Sequence, residues 1–114
     1  MTALVYGLAV AGASTVRALR RRDIDVVVVD DDITADRTAL ATSLGVELLA
    51  PMDQASLDRL VASCELVCPA PGIPETHGVI DAARRAGVEL VSEIELAYRW
   101  EQDRAGGPRP MLAV

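Results

Sequence analysis

Short apolar runs alternate with amphipathic stretches along almost the whole chain. Ala3 to Tyr6 is apolar throughout and stops at Gly7, which reads as a buried strand ended by a tight turn. Gly12, Ala13 and Ser14 open a helix that runs to about Arg22. Asp25 to Asp30 is DVVVVD, and four successive valines suit a strand covered on both faces, as in a parallel sheet. Thr34 or Asp36 caps a second helix through Leu44, with Leu40 and Leu44 at helical spacing and Gly45 as its stop. Val46 to Leu49 is the third strand. Asp53 or Ser56 caps a third helix over Leu57 to Ser63, whose apolar face is Leu57, Leu60 and Val61.

Leu66 to Cys68 forms a fourth strand that enters Pro69-Ala-Pro-Gly-Ile-Pro74. The prolines fix φ, so this loop is stiff. A fourth helix runs from Glu75 or Thr76 to Ala86 and stops at Gly87, and Val88 to Val91 is the fifth strand. Ser92 with Glu95 three residues on is a capping box for a fifth helix carrying Leu96, Tyr98 and Trp100. Arg104 to Pro110 has linker composition, and Met111 to Val114 starts another apolar strand. Such regular alternation predicts an α/β fold: a Rossmann-like open parallel sheet of about five strands, built from right-handed βαβ units and flanked by helices. Ligands of such sheets sit beyond the carboxyl ends of the strands, at the switch point. Five loops are expected to converge there: Gly7–Gly12, Asp30–Asp32, Ala50–Asp53, Pro69–Pro74 and Ser92–Glu93.

Composition narrows the function. The chain has 114 residues, of which 51% are hydrophobic and 25% charged, enough for one domain with a real core. Eleven basic against seventeen acidic residues give a net charge of −6, and only 3% are aromatic. Neither fits a nucleic-acid surface. No apolar run reaches the roughly 18 residues that cross a bilayer, and no basic segment precedes an apolar one at the N-terminus, so we expect a cytoplasmic protein. Cys64 and Cys68 with one histidine complete no zinc site and are expected as buried free thiols.

The candidate chemistry lies in the loops. A strand, a glycine turn and a helix N-terminus make an anion site, because the first helical N–H groups have no internal acceptor and the helix dipole adds positive charge. The same turn also serves a fold that needs glycine for geometry alone, and Ala9 stands where a dinucleotide fingerprint has a second glycine. Asp30 is placed to bind a ribose 2′-OH or to accept the N3–H of a uracil, and spacing does not choose between these and a solvated turn. Asp31 and Asp32 read as solvated. Gly72 in its rigid loop can bring backbone against a ligand. His77 has no evident partner and reads as an exposed residue at a helix start; Glu93 and Glu95 read as helix-start acids. No nucleophile–base pair is visible, so no catalytic residue and no metal ligand is assigned.

Taken together, Gly7-Leu8, Gly12 and Ser14, the strand ending at Asp30, the Ala70–Pro74 loop and Ser92-Glu-Ile-Glu-Leu96 resemble the N-terminal domain of the Mur ligases, over nearly the whole chain. The branch it most resembles adds D-glutamate to UDP-N-acetylmuramoyl-L-alanine. The resemblance implies a UDP-substrate-binding domain over residues 1–104. Residues 105–114 would be a linker and the start of a missing ATP-binding central domain, with a C-terminal domain beyond it. It implies backbone contacts to the nucleotide from Leu8, Val10, Ala11 and Gly12, uracil contacts from Asp30 and Asp31, and closure by Ala70, Pro71, Gly72 and His77. It implies ATP and Mg²⁺ in the full-length parent and none in these residues, which alone would be inactive. Family members usually carry glycine at position 9 and a hydroxyl residue at positions 11 and 70. Alanine here removes those side-chain hydrogen bonds and leaves the backbone ones. The competing reading is a stand-alone NAD(P)-binding or ligand-sensing module.

Overall fold

The computed structural model describes residues 1–8, 10–92 and 95–96. Strands β1 (Thr2–Tyr6), β2 (Asp25–Val29), β3 (Glu47–Leu49), β4 (Leu66–Pro69) and β5 (Glu89–Leu90) alternate with helices α1 (Val10–Arg21), α2 (Ala35–Leu44), α3 (Gln54–Ala62) and α4 (Gly78–Ala86). The strands form one parallel sheet in the order β3-β2-β1-β4-β5. The chain therefore steps outward from β1 in one direction, returns, and steps outward in the other. The switch point lies between β1 and β4, which pair from Ala3 opposite Leu66 to Tyr6 opposite Pro69.

The two-residue period of the strands sorts their side chains between two cores. Ala3, Val5, Val28, Leu66 and Cys68 face Ala13, Val16 and Leu19 of α1 and Ala41 of α2. Leu4, Tyr6, Val29 and Val67 face Leu57 and Val61 of α3 and Val79, Ile80, Ala82 and Ala83 of α4. Helices thus cover both faces, which explains the apolar character of β1, β2 and β4. Cys64 and Cys68 are buried free thiols, as expected, and burial pushes the Cys68 thiol up to about 11.

Element boundaries differ from expectation where local chemistry intervenes. Helix α1 opens at Val10, two residues before Gly12, which sits inside the first turn. Helix α3 opens at Gln54 because Asp53 caps it, accepting the Ser56 N–H at 2.7 Å. Helix α4 opens at Gly78, because Pro74 to His77 closes a turn through His77 N–H to the Pro74 carbonyl. Thr34, not Asp36, caps α2, and Gly45 and Gly87 end α2 and α4 in the left-handed conformation. In the expected fifth helix, Ser92 Oγ accepts the Glu95 N–H at 3.1 Å and Leu96 is buried. Tyr98, Trp100, the linker and the final strand lie outside the described residues. No described helix is long and apolar enough to cross a membrane.

Candidate functional site

Three loops meet above the switch point. A cleft of about 350 Å³ runs between Tyr6, Gly7 and Leu8 after β1, Asp30 to Asp32 after β2 with Arg37, and Ala70 to Ile73 after β4. Ala50–Asp53 and Ser92, which follow the edge strands β3 and β5, are not among its described lining residues. Strand β3 acts from behind instead: the Leu49 carbonyl accepts the Asp30 N–H.

The cleft floor is held by close backbone approach. Gly7 has φ +99°, and a Cβ there would lie 2.8 Å from the Ala70 methyl. A Cβ on Gly12 would lie 2.1 Å from the Gly7 carbonyl oxygen. The two glycines let α1 pack end-on against the turn that β4 flanks. Gly7 N–H donates to the Val29 carbonyl and Ala70 N–H to the Tyr6 carbonyl, both at 2.8 Å, tying the loop to both neighbouring strands. Opposite, Ile73 N–H closes a turn onto the Ala70 carbonyl. Gly72 in that turn has nothing within 4 Å of where a Cβ would be, so the protein's own packing does not require glycine there.

Asp30 is buried at the end of β2 and its carboxylate is heavily used. Oδ2 accepts the Leu8 N–H at 2.7 Å; Oδ1 accepts the Asp32 N–H at 2.9 Å and Arg37 Nη1 at 2.8 Å. It shapes the first and second loops at once. Leu8 therefore spends its amide inside the protein. At the mouth of α1, the N–H groups of Val10, Ala11 and Gly12 come before the helical ladder begins.

Asp31, expected in solvent, is half exposed but bridges two elements. Oδ1 accepts the Tyr6 hydroxyl and Oδ2 lies 2.9 Å from His77 Nε2. His77 thus has the partner that sequence did not reveal. Its other nitrogen, Nδ1, accepts the Val79 N–H at 3.0 Å and caps α4, so the ring carries its proton on Nε2 and donates to Asp31. The Tyr6 and His77 rings meet edge-on, with centroids 4.6 Å apart. The Tyr6 hydroxyl, then His77, hold the Asp31 carboxyl below the usual carboxylate range, against burial. Burial and then the Asp31 bond push the Tyr6 phenol up. Asp32 stays exposed, 3.9 Å from Arg37 Nη1.

Of the ten residues expected at the site, the structure brings Leu8, Asp30, Asp31, Ala70, Pro71 and Gly72 into one cleft lining, with His77 reaching it through Asp31. Gly12 packs beneath the Gly7 carbonyl. Sequence reasoning missed Tyr6 and Arg37. Tyr6 was visible as the one strand residue in its run with a polar tip; Arg37 carried no signal, because only the fold turns α2 toward Asp30.

Residues 1–92 match the family model of the Mur ligase MurD-like N-terminal domain. The chain belongs to that family. A UDP-N-acetylmuramoylalanine–D-glutamate ligase of Geobacter metallireducens is 40% identical over 101 residues, which cover 85% of this chain and 22% of the relative. The chain thus spans about a fifth of the length of the curated relatives it matches. Among solved structures, the UDP-N-acetylmuramate:L-alanyl-γ-D-glutamyl-meso-diaminopimelate ligase from Neisseria meningitides has a TM-score of 0.69 at 14% identity, covering 86% of this chain and 30% of that one. Apo saccharopine dehydrogenase from Saccharomyces cerevisiae has a TM-score of 0.65 at 25% identity, covering 80% and 21%. The MurD-like domain therefore shares its sheet with dehydrogenases as well as ligases, and the fold alone does not name the ligand.

Proposed function

We propose that this MurD-like domain holds the UDP moiety of UDP-N-acetylmuramoyl-L-alanine for a ligase that adds D-glutamate to it in peptidoglycan synthesis. What supports this reading above all is the cleft at the switch point, with the Gly7–Leu8 turn that leads into α1 in one wall and the Ala70–Ile73 turn in the other. The diphosphate sits at the α1 N-terminus, where Val10, Ala11 and Gly12 offer backbone N–H groups and the helix dipole favours negative charge. Ala11 carries no hydroxyl, so binding there is by backbone. The base lies toward the β2 end, against Asp30 and Asp31. Ala70, Pro71 and Gly72 close the opposite side, and Gly72 leaves room for a ligand to meet bare backbone. His77 holds this loop to Asp31 and has no chemical step. On this reading the chain works in the cytoplasm. ATP and Mg²⁺ supply carboxylate activation in the whole ligase, and no residue here is assigned to them.

Calorimetric titration of the 114-residue chain with UDP and with NAD tests the reading. UDP is expected to bind more tightly. Tighter binding of NAD would replace this function with the dehydrogenase-like one. Given ATP, D-glutamate and the UDP-muramoyl substrate, the chain alone should release no phosphate; substrate-dependent release would reveal an ATP site within these residues.

A further inference from the structure

Resting on that reading, we propose that Arg37 is the residue that selects uracil over cytosine in this cleft. Arg37 is the one cation among the described lining residues, facing three aspartates. Its Nη1 protons are both taken up, by Asp30 Oδ1 at 2.8 Å and the Asp32 carbonyl at 3.0 Å. Those two bonds fix the guanidinium plane, and its side chain is 31% exposed at the cleft wall. A guanidinium has five N–H groups. The remaining three, on Nη2 and Nε, have no partner among the described residues. Asp30 is the reverse case. Oδ1 has two donors and Oδ2 only one, so an acceptor position is left on Oδ2.

An acceptor thus stands next to a fixed set of donors. Uracil presents the complement: an N3–H donor beside the C4 carbonyl acceptor. Cytosine presents the opposite order, a bare N3 beside an amino group. It would set its lone pair against the Asp30 carboxylate and its N–H groups against the guanidinium. A site whose polar groups are left unpaired by the wrong ligand discriminates strongly. The charge balance agrees. Without Arg37, the described lining would hold three carboxylates and no cation.

The test is the ratio of UDP to CDP affinity, measured by calorimetry on the wild-type chain and on Arg37→Ala, Arg37→Gln and Arg37→Lys, with thermal unfolding alongside. The wild type should prefer UDP. Arg37→Ala and Arg37→Gln should lower the ratio by about tenfold or more, the usual range for a hydrogen bond to a charged group. Arg37→Lys keeps a charge on Asp30, and hence the fold, but replaces the planar fork with one ammonium, so the ratio should fall severalfold. A merely structural Arg37 would weaken UDP and CDP equally. A ratio within twofold of wild type in the folded variants, Arg37→Lys included, would overturn the assignment while leaving UDP binding standing. A wild type that prefers NAD to both pyrimidine nucleotides would instead overturn the reading beneath it.

Discussion

Two glycines, one beneath this cleft and one in its wall, look alike in sequence and differ in consequence. Gly12 lies under the Gly7 carbonyl, where a Cβ would be 2.1 Å from the oxygen, whereas Gly72 faces open space. Gly12→Ala forces backbone apart and should cost about 1–3 kcal/mol or more in urea unfolding. Gly72→Ala should change stability by no more than about 0.5 kcal/mol, yet weaken UDP severalfold, because its methyl enters the space left for a ligand. Stability loss at Gly72 would mean that the turn needs glycine for itself. Tyr6 and Asp31 give the second expectation. The folded Asp31 carboxyl is depressed below its unfolded value of roughly 3.9. The stabilisation is present above that unfolded value and is lost as pH falls through the lower, folded one. Tyr6→Phe removes the largest cause of the depression. It should be destabilising at pH 6, by about 0.5–1.5 kcal/mol and toward the lower end because Asp31 is half exposed. The difference from wild type should shrink by pH 3. Thermal unfolding at both pH values measures it, and a gap that widens in acid would contradict the Tyr6–Asp31 bond.

At the scale of elements, His77 joins two jobs that are usually separate. It ends the β4–α4 loop by capping α4 through Nδ1, and it ties that loop across the sheet to the β2 loop through Nε2. His77→Ala should lose both, with the cap worth about 1 kcal/mol. His77→Ser restores a side-chain acceptor for the Val79 N–H but cannot reach Asp31. It should therefore recover most of the stability in urea unfolding and leave UDP binding as weak as in His77→Ala. Equal stability of the two variants would mean that the cap contributes little. Helix α2 shows the opposite economy. Ala41 is its one buried residue, and its attachment comes from the Thr34 cap, half-buried Leu40 and Leu44, and the Arg37–Asp30 pair. The helix that presents Arg37 to the cleft is thus the one least committed to the core.

For the whole molecule, parallel pairing in the order β3-β2-β1-β4-β5 is what turns separate loops into a site. The sequence by itself determined the elements, since four consecutive valines, glycine stops and capping residues act within a few positions of where they stand. It determined that the sheet is parallel, because βαβ connections leave no short hairpin, and it marked as candidates Gly7, Asp30 and the Ala70–Pro74 loop, of which Gly7, Asp30 and Ala70–Ile73 line the one cleft. Helix starts shifted by two or three residues because a turn at Pro74–His77 and an aspartate cap at Asp53 compete with helical periodicity at close range. Only the tertiary structure decided which loops meet. β3 and β5 fell to the sheet edges, and Ala50–Asp53 and Ser92, which follow them, are not among the cleft's described lining residues. It also decided partners. Asp31 and His77 are 46 residues apart, and Leu8 and Asp30 are 22 apart. No periodicity encodes such pairs; they arise when β1 is inserted between β2 and β4, bringing the ends of three strands within hydrogen-bonding reach.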